Sequence, residues 1–223
     1  MDSNTKKKII SIVNCFEMGS PYIKYDDITL LHDAPGNQLQ VTISFGMTQA
    51  GSLQKLIKNY IDLHGKYASD FVPFLGKLDD IPDLALDHEF LKLVKKASSD
   101  DQIMKDAQDE IYESTYFLPA EKWSETAGFE LPLSYLVVFD SFLQSGSIMK
   151  MLRNRFPETL PNNGGTEKEW ITAYSKTRLN WLRNHSRVAV RNSAYRMRDI
   201  TKIINDDDWE LEHPVSANGI IIP

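Results

Sequence analysis

Residues 14–49 read NCFEMGSPYIKYDDITLLHDAPGNQLQVTISFGMTQ, and this stretch decides the fold. It holds the end of a helix, a loop and a β-hairpin. Just upstream, Ile9, Ile10, Val13 and Phe16 recur at three- and four-residue spacing, which predicts a helix over 5–17. Glu17 closes that helix on its apolar side, a setting that suits a general acid. Gly19, Ser20 and Pro21 then open a loop over 18–27. Leu39, Val41, Ile43 and Phe45 alternate with Gln40, Thr42 and Ser44, so 39–45 reads as a strand that pairs with 28–31. The connection HDAPGNQ is rich in turn formers and places Asp33 where the hairpin turns. Two carboxylates thus stand at a helix end and a hairpin turn, each exposed on one side and anchored on the other. Each also has a structural reading. Glu17 would then be a frayed helix end beside Gly19 and Pro21, and Asp33 an acid bonded to its own turn backbone.

The chain has 223 residues, 42% hydrophobic and 25% charged, which suits one domain or two small lobes and excludes a disordered, collagenous or coiled-coil chain. Its net charge of −6 argues against nucleic acid, which calls for a basic face, and permits a cationic substrate. The pI is about 5.4. The single cysteine, Cys15, rules out an internal disulfide and a CxxC motif. With no histidine partner in sight it reads as a small core residue rather than a nucleophile. No apolar run approaches the roughly 20 residues needed to cross a bilayer, so no membrane partner is expected. The start, MDSNTKKKIISIVNCFE, lacks the apolar core of a signal peptide. Location stays open between the cytoplasm, a trimmed signal and signal-independent export.

Further along, 51–64 reads as an amphipathic helix with Leu53, Leu56, Ile57, Tyr60 and Ile61 inward. The proline-punctuated run FVPFLGKLDDIPDLALD allows only short helices. A helix over 87–97 follows, and Ser98-Ser99-Asp100-Asp101 reads as the start of another that runs to Phe117. On that helix Asp106, Asp109, Glu110 and Glu113 form a solvated face. Residues 131–143, LPLSYLVVFDSFL, predict a buried core helix, and Asp140 within it demands a cationic partner. Thr166 and Glu169 suggest a capping box opening a long helix that carries Arg178. Arg187, Arg191, Arg196 and Arg198 follow; with acidic neighbours they read as ion-pair partners rather than a phosphate patch. The tail from Asn205 reads as irregular, anchored by Trp209 and Leu211. His32, His64, His88, His185 and His213 are scattered without metal-ligand spacing, and Gly-rich phosphate loops and GxSxG are absent. No metal or cofactor is expected.

Taken together, the helix ending in Glu17, the Asp33 hairpin, TYFLPA at 115–120, VFDS around Asp140 and the arginine-bearing C-terminal helices resemble glycoside hydrolase family 46, the chitosanases. The similarity spans about residues 7–209 and is strongest over 6–57. It implies a mainly α (α+β) fold on a two-lobed, lysozyme-like plan, with a small antiparallel sheet beside the cleft, the whole of 1–223 forming a single catalytic domain. It further implies endo-hydrolysis with inversion. Glu17 matches the general acid and Asp33 the general base. Asp140, Arg178 and Arg191 match a buried network that supports the acid. Thr42 is nearest to the threonine that positions the water. Ser20, Tyr25 and Gln49 are the substrate-binding candidates. An inverting pair stands roughly 6.5–9.5 Å apart, leaving room for a water.

Two departures bear on specificity. Ala34-Pro35-Gly36 follow Asp33 where the family usually has a glycine directly after the aspartate. Residues 47–59 hold no acid, whereas relatives carry one there that binds a glucosamine amine; Asp26, Asp27 or Asp62 would have to substitute. The expectation is an inverting endo-glycosidase cleaving β-1,4 bonds of an amino-sugar polymer, with chitosan first. A peptidoglycan hydrolase and a non-catalytic glycan-binding protein are the alternatives. The expected partner is the polysaccharide alone, met by a monomer.

Overall fold

A computed structural model describes residues 1–223, except for the side chain of Asp33. In chain order the elements are α1 (Ser3–Met18), β1 (Ile28–Ala34), β2 (Gln38–Ile43), β3 (Met47–Thr48), α2 (Leu53–Asp62), α3 (Ala68–Phe71), α4 (Asp83–Leu86), α5 (His88–Asp100) and α6 (Gln102–Tyr112). Then come α7 (Leu118–Ala127), α8 (Pro132–Ser145), α9 (Lys150–Arg153), α10 (Glu167–Arg183), α11 (Val188–Asn192), α12 (Ala194–Asn205), β4 (Val215–Ala217) and β5 (Ile220–Ile222). The fold is mainly helical with a small antiparallel sheet, as expected. Among the described residues no helix is long and apolar enough to cross a membrane. The chain divides into two compact units: 1–22 with 115–223, and 23–114.

In the first unit, α1 starts where Asp2 accepts from the backbone N–H groups of Asn4 (2.8 Å) and Thr5 (3.1 Å). It buries Ile9, Ile12, Val13 and Phe16 and stops at Gly19, whose φ of 60° is the left-handed cap that favours glycine. The predominantly apolar α8 is buried along most of its length, as its composition requires. Trp170 of α10 is sealed among Trp123, Phe129, Phe156 and Tyr174, stacking on Tyr174 with centroids 5.2 Å apart. Thr166 does precede α10, but its hydroxyl donates to the Glu169 carboxylate (2.7 Å) and caps no backbone group, so there is no capping box. Glu167 instead accepts from the N–H groups of Glu130 and Leu131, tying α10 to the start of α8.

The tail is not irregular. Val215 pairs with Ile222 and Ala217 with Ile220 across an Asn218-Gly219 turn, with φ of 52° and 79°. Positive φ at both central residues is what a tight hairpin turn demands, and Asn-Gly supplies it.

In the second unit, β1 and β2 pair from Ile28↔Ile43 to His32↔Leu39, and the register then shifts before Ala34↔Gln38. The turn falls on Pro35, Gly36 and Asn37, with Gly36 and Asn37 at φ of 75° and 60°. Asp33 is therefore not a turn residue: it lies in β1 at the register shift, three residues before Gly36, the first to take left-handed backbone. The junction of α5 and α6 also differs from expectation. Ser98 and Ser99 end α5, and Asp101 alone caps α6, accepting from Ile103 N–H at 3.0 Å. Its other oxygen takes the Tyr60 hydroxyl (2.6 Å) and the Lys66 N–H (2.7 Å). Gly65 is forced here, since a Cβ would fall 2.0 Å from the Tyr60 ring. The helix expected to reach Phe117 gives way to a π turn over 113–117, just ahead of Pro119, which cannot donate to a helical ladder.

Candidate active site

Glu17 sits in the last turn of α1 with its side chain 24% exposed. One carboxylate oxygen, Oε1, accepts from Nη1 of Arg196. The apolar setting expected from helical spacing is thus replaced by contact with a cation. Arg196 is 4% exposed and projects from α12. Its Nε lies 2.8 Å and its Nη2 2.6 Å from Oδ1 of Asp140. The second oxygen of Asp140 takes Nη1 of Arg178 at 2.7 Å. Arg178 also donates to Ser141 Oγ (2.7 Å) and to Gln144, while Ser141 Oγ accepts from Tyr174 (3.0 Å) and donates to the Val137 carbonyl (2.8 Å). The result is a chain, Glu17–Arg196–Asp140–Arg178, whose two cations and two anions balance.

Balance is what permits burial. Asp140 and Arg178 are fully sealed from solvent, and an unpaired charge there would be expensive. Burial pushes the Asp140 carboxyl up, but the Arg196 and Arg178 guanidiniums outweigh it and hold the group below the usual carboxylate range. Burial works against the charge of Arg196, and Asp140 and Glu17 more than restore it.

The sequence placed Asp140 and Arg178 in this cluster and misplaced its second arginine. Arg191 is exposed on the short α11, and its Nη1 donates to the carbonyls of His185 (2.7 Å) and Ser186 (2.8 Å). Arg196 holds the position instead. A signal for it existed: Arg196 falls on one helical face with Met197, Ile200 and Ile203, all buried. An arginine on an apolar stripe calls for an anion, as Asp140 calls for a cation.

The side chain of Asp33, and hence the expected carboxyl separation, lies outside the described residues. Thr42 pairs with Thr29, four residues before Asp33, so about 13 Å of strand separates the two levels. Register therefore does not bring Thr42 to Asp33; its buried hydroxyl has no hydrogen-bond partner among the described residues. Ser20 Oγ accepts from the Tyr22 N–H at 3.2 Å in the loop after α1. The Tyr25 hydroxyl donates to both oxygens of Asp109 (2.9 and 3.0 Å), so Asp109 is a tether for this loop rather than part of a solvated face. Burial raises the Asp109 carboxyl. Gln49 is buried, and its Nε2 donates to the Asp80 carbonyl at 2.8 Å. Tyr25 and Gln49 thus serve as internal ties in the second unit.

The chain matches the family model of glycosyl hydrolase family 46 over residues 11–215. A chitosanase of Bacillus subtilis (strain 168) is 23% identical over 238 residues, a match that covers 98% of this chain and 83% of the relative. Among solved structures, the complex of a Gynuella sunshinyii family 46 chitosanase with chitotetraose superposes with a TM-score of 0.85 at 20% identity, covering 100% of this chain and 98% of that one. A mutant chitosanase from Bacillus subtilis MY002, complexed with 6 GlcN, gives a TM-score of 0.84 at 22% identity with full coverage of both chains. These structural likenesses establish the fold.

Proposed function

Because the chain belongs to glycosyl hydrolase family 46, we propose that it is an endo-acting chitosanase that cleaves β-1,4 bonds with inversion, using Glu17 as acid and Asp33 as base. The observation that carries the assignment is the grip of Arg196 on Oε1 of Glu17. A guanidinium only donates, so Oε1 can only accept. Oε2 has no hydrogen-bond partner among the described residues and is the oxygen left to carry the proton to the leaving group. A general acid acts from a fixed position toward the atom it protonates, and Arg196, itself clamped by Asp140, fixes it.

In the proposed cycle the Glu17 proton goes to the glycosidic oxygen as the C–O bond breaks. Asp33 takes a proton from a water that attacks the opposite face of the sugar, and the anomeric centre inverts. Residues 1–223 act as one catalytic domain. A polymer of glucosamine is cationic, and a chain of charge −6 favours its approach.

Release of reducing ends from chitosan by the wild type, Glu17→Gln and Asp33→Asn tests this, with peptidoglycan alongside. The expected result is cleavage of chitosan with the α-anomer as first product, and a loss on the order of 10²–10⁴-fold in either variant. Cleavage of peptidoglycan alone would overturn the substrate, and an active Glu17→Gln would overturn the acid.

A further inference from the structure

We propose that Asn218, at the tip of the C-terminal hairpin, is a positioning residue for Glu17. The inference rests on the reading of Glu17 as the acid. The last carbonyls of a helix have no partner within it, so its final turn frays unless something holds them. Here both carbonyls before Glu17 are held from outside α1. Cys15 O accepts from the side-chain Nδ2 of Asn218 at 3.0 Å, besides the Gly19 N–H at 3.1 Å. Phe16 O accepts from the Tyr195 hydroxyl. The Phe16 ring packs edge-on against Tyr195, centroids 6.1 Å apart, with the Arg196 guanidinium 5.5 Å from its centre.

The hairpin tip is in turn fixed to the helix that grips Glu17. The Asn218 N–H donates to Oδ2 of Asp199 at 2.9 Å, and Oδ1 of Asp199 faces Lys202 Nζ at 3.1 Å. Asp199 is 13% exposed and stands one turn after Arg196. Thus α12 reaches the end of α1 by three routes: Arg196 to the carboxylate, Tyr195 to one carbonyl, and Asp199 through Asn218 to the other. The family match ends at residue 215, so Asn218 lies beyond it.

Asn218 also serves its own turn, where φ of 52° suits asparagine. Asn218→Gly separates the two roles: glycine keeps the turn and its N–H to Asp199, and removes only the amide to Cys15. Steady-state kinetics on chitosan, amide hydrogen exchange at 17–19 and Tm would be measured for this variant. The expected result is kcat lower by roughly ten- to a hundredfold, KM within about twofold, and faster exchange at Gly19. Asp199→Ala should reproduce the effect, and Asp199→Asn, which keeps an acceptor oxygen, should restore most of it. Wild-type kcat and exchange in Asn218→Gly would overturn the proposal. So would a loss of kcat that merely tracks a lowered Tm. If the wild type cleaves no chitosan yet exchange at 17–19 rises in Asn218→Gly, the positioning contact stands and the catalytic reading fails.

Discussion

Arg196 and Asp140 meet through two nitrogens on one oxygen, Nε at 2.8 Å and Nη2 at 2.6 Å, with both side chains almost sealed from water. Asp140→Asn keeps the shape and removes the charge. Arg178 and Arg196 would then be buried with one anion, Glu17, between them. Breaking a buried pair in this way costs about 3–5 kcal/mol. Urea unfolding should show that loss, with activity falling too because Arg196 no longer holds Glu17. A variant of wild-type stability would mean that solvent reaches the cluster.

Arg196→Lys tests geometry at constant charge. One ammonium cannot reproduce a fork that spans Glu17 and Asp140. The expected drop in kcat is on the order of 10²-fold, the scale of a misplaced catalytic group, with the fold retained. Arg191→Ala is the contrast. Its contacts are with nearby carbonyls on an exposed surface, so stability should stay within about 0.5 kcal/mol and kcat near wild type. An inactive Arg191→Ala would restore that residue to the network.

Much of this was legible in the sequence for identifiable reasons. The spacing of Ile9, Val13 and Phe16 with Gly19 beyond it marked α1, and strict alternation marked β2. Asp140 advertised a buried partner by its apolar neighbours. What failed were choices between nearby residues of equal chemistry. Arg191 and Arg196 are both arginines after α10, and the break at Ser193 that separates α11 from α12 carries no strong local signal. Ser98 and Asp101 are both good caps, and the choice fell to the residue whose second oxygen could also take Tyr60 and Lys66, a long-range contact. The C-terminal hairpin was readable, since Asn218-Gly219 stands between VSA and III. Thr42 looked close to Asp33 in sequence, but strand register runs antiparallel and sets them apart.

Tyr60→Phe probes the other unit. The Tyr60 hydroxyl donates to Asp101 and accepts the Tyr67 N–H at 2.9 Å. Phenylalanine fills the same space but leaves the Tyr67 N–H buried and unpaired, a cost of about 1–3 kcal/mol. Calorimetry should register it as a lowered Tm. An unchanged Tm would indicate that a water replaces the hydroxyl.

Acid should unfold the protein through the same buried carboxylates. An unfolded aspartate titrates near about 3.9. Asp140 titrates lower in the fold, because its two arginines outweigh the effect of burial. Asp101 is also lowered: burial raises it, while the Tyr60 hydroxyl and the Lys66 and Ile103 N–H groups pull it further down. Below the unfolded value the unfolded chain therefore binds more protons than the folded one, and stability falls as pH falls. The contribution of these groups is complete above about pH 4–5 and disappears as pH drops through their folded values. Urea midpoints should be level from neutral pH to about 5 and decline steeply below 4. Asp140→Asn should start lower and decline less steeply over the same acid range, since the group that links protons to folding is gone. A variant whose midpoint falls as steeply as wild type below pH 4 would show that other carboxylates carry the acid transition.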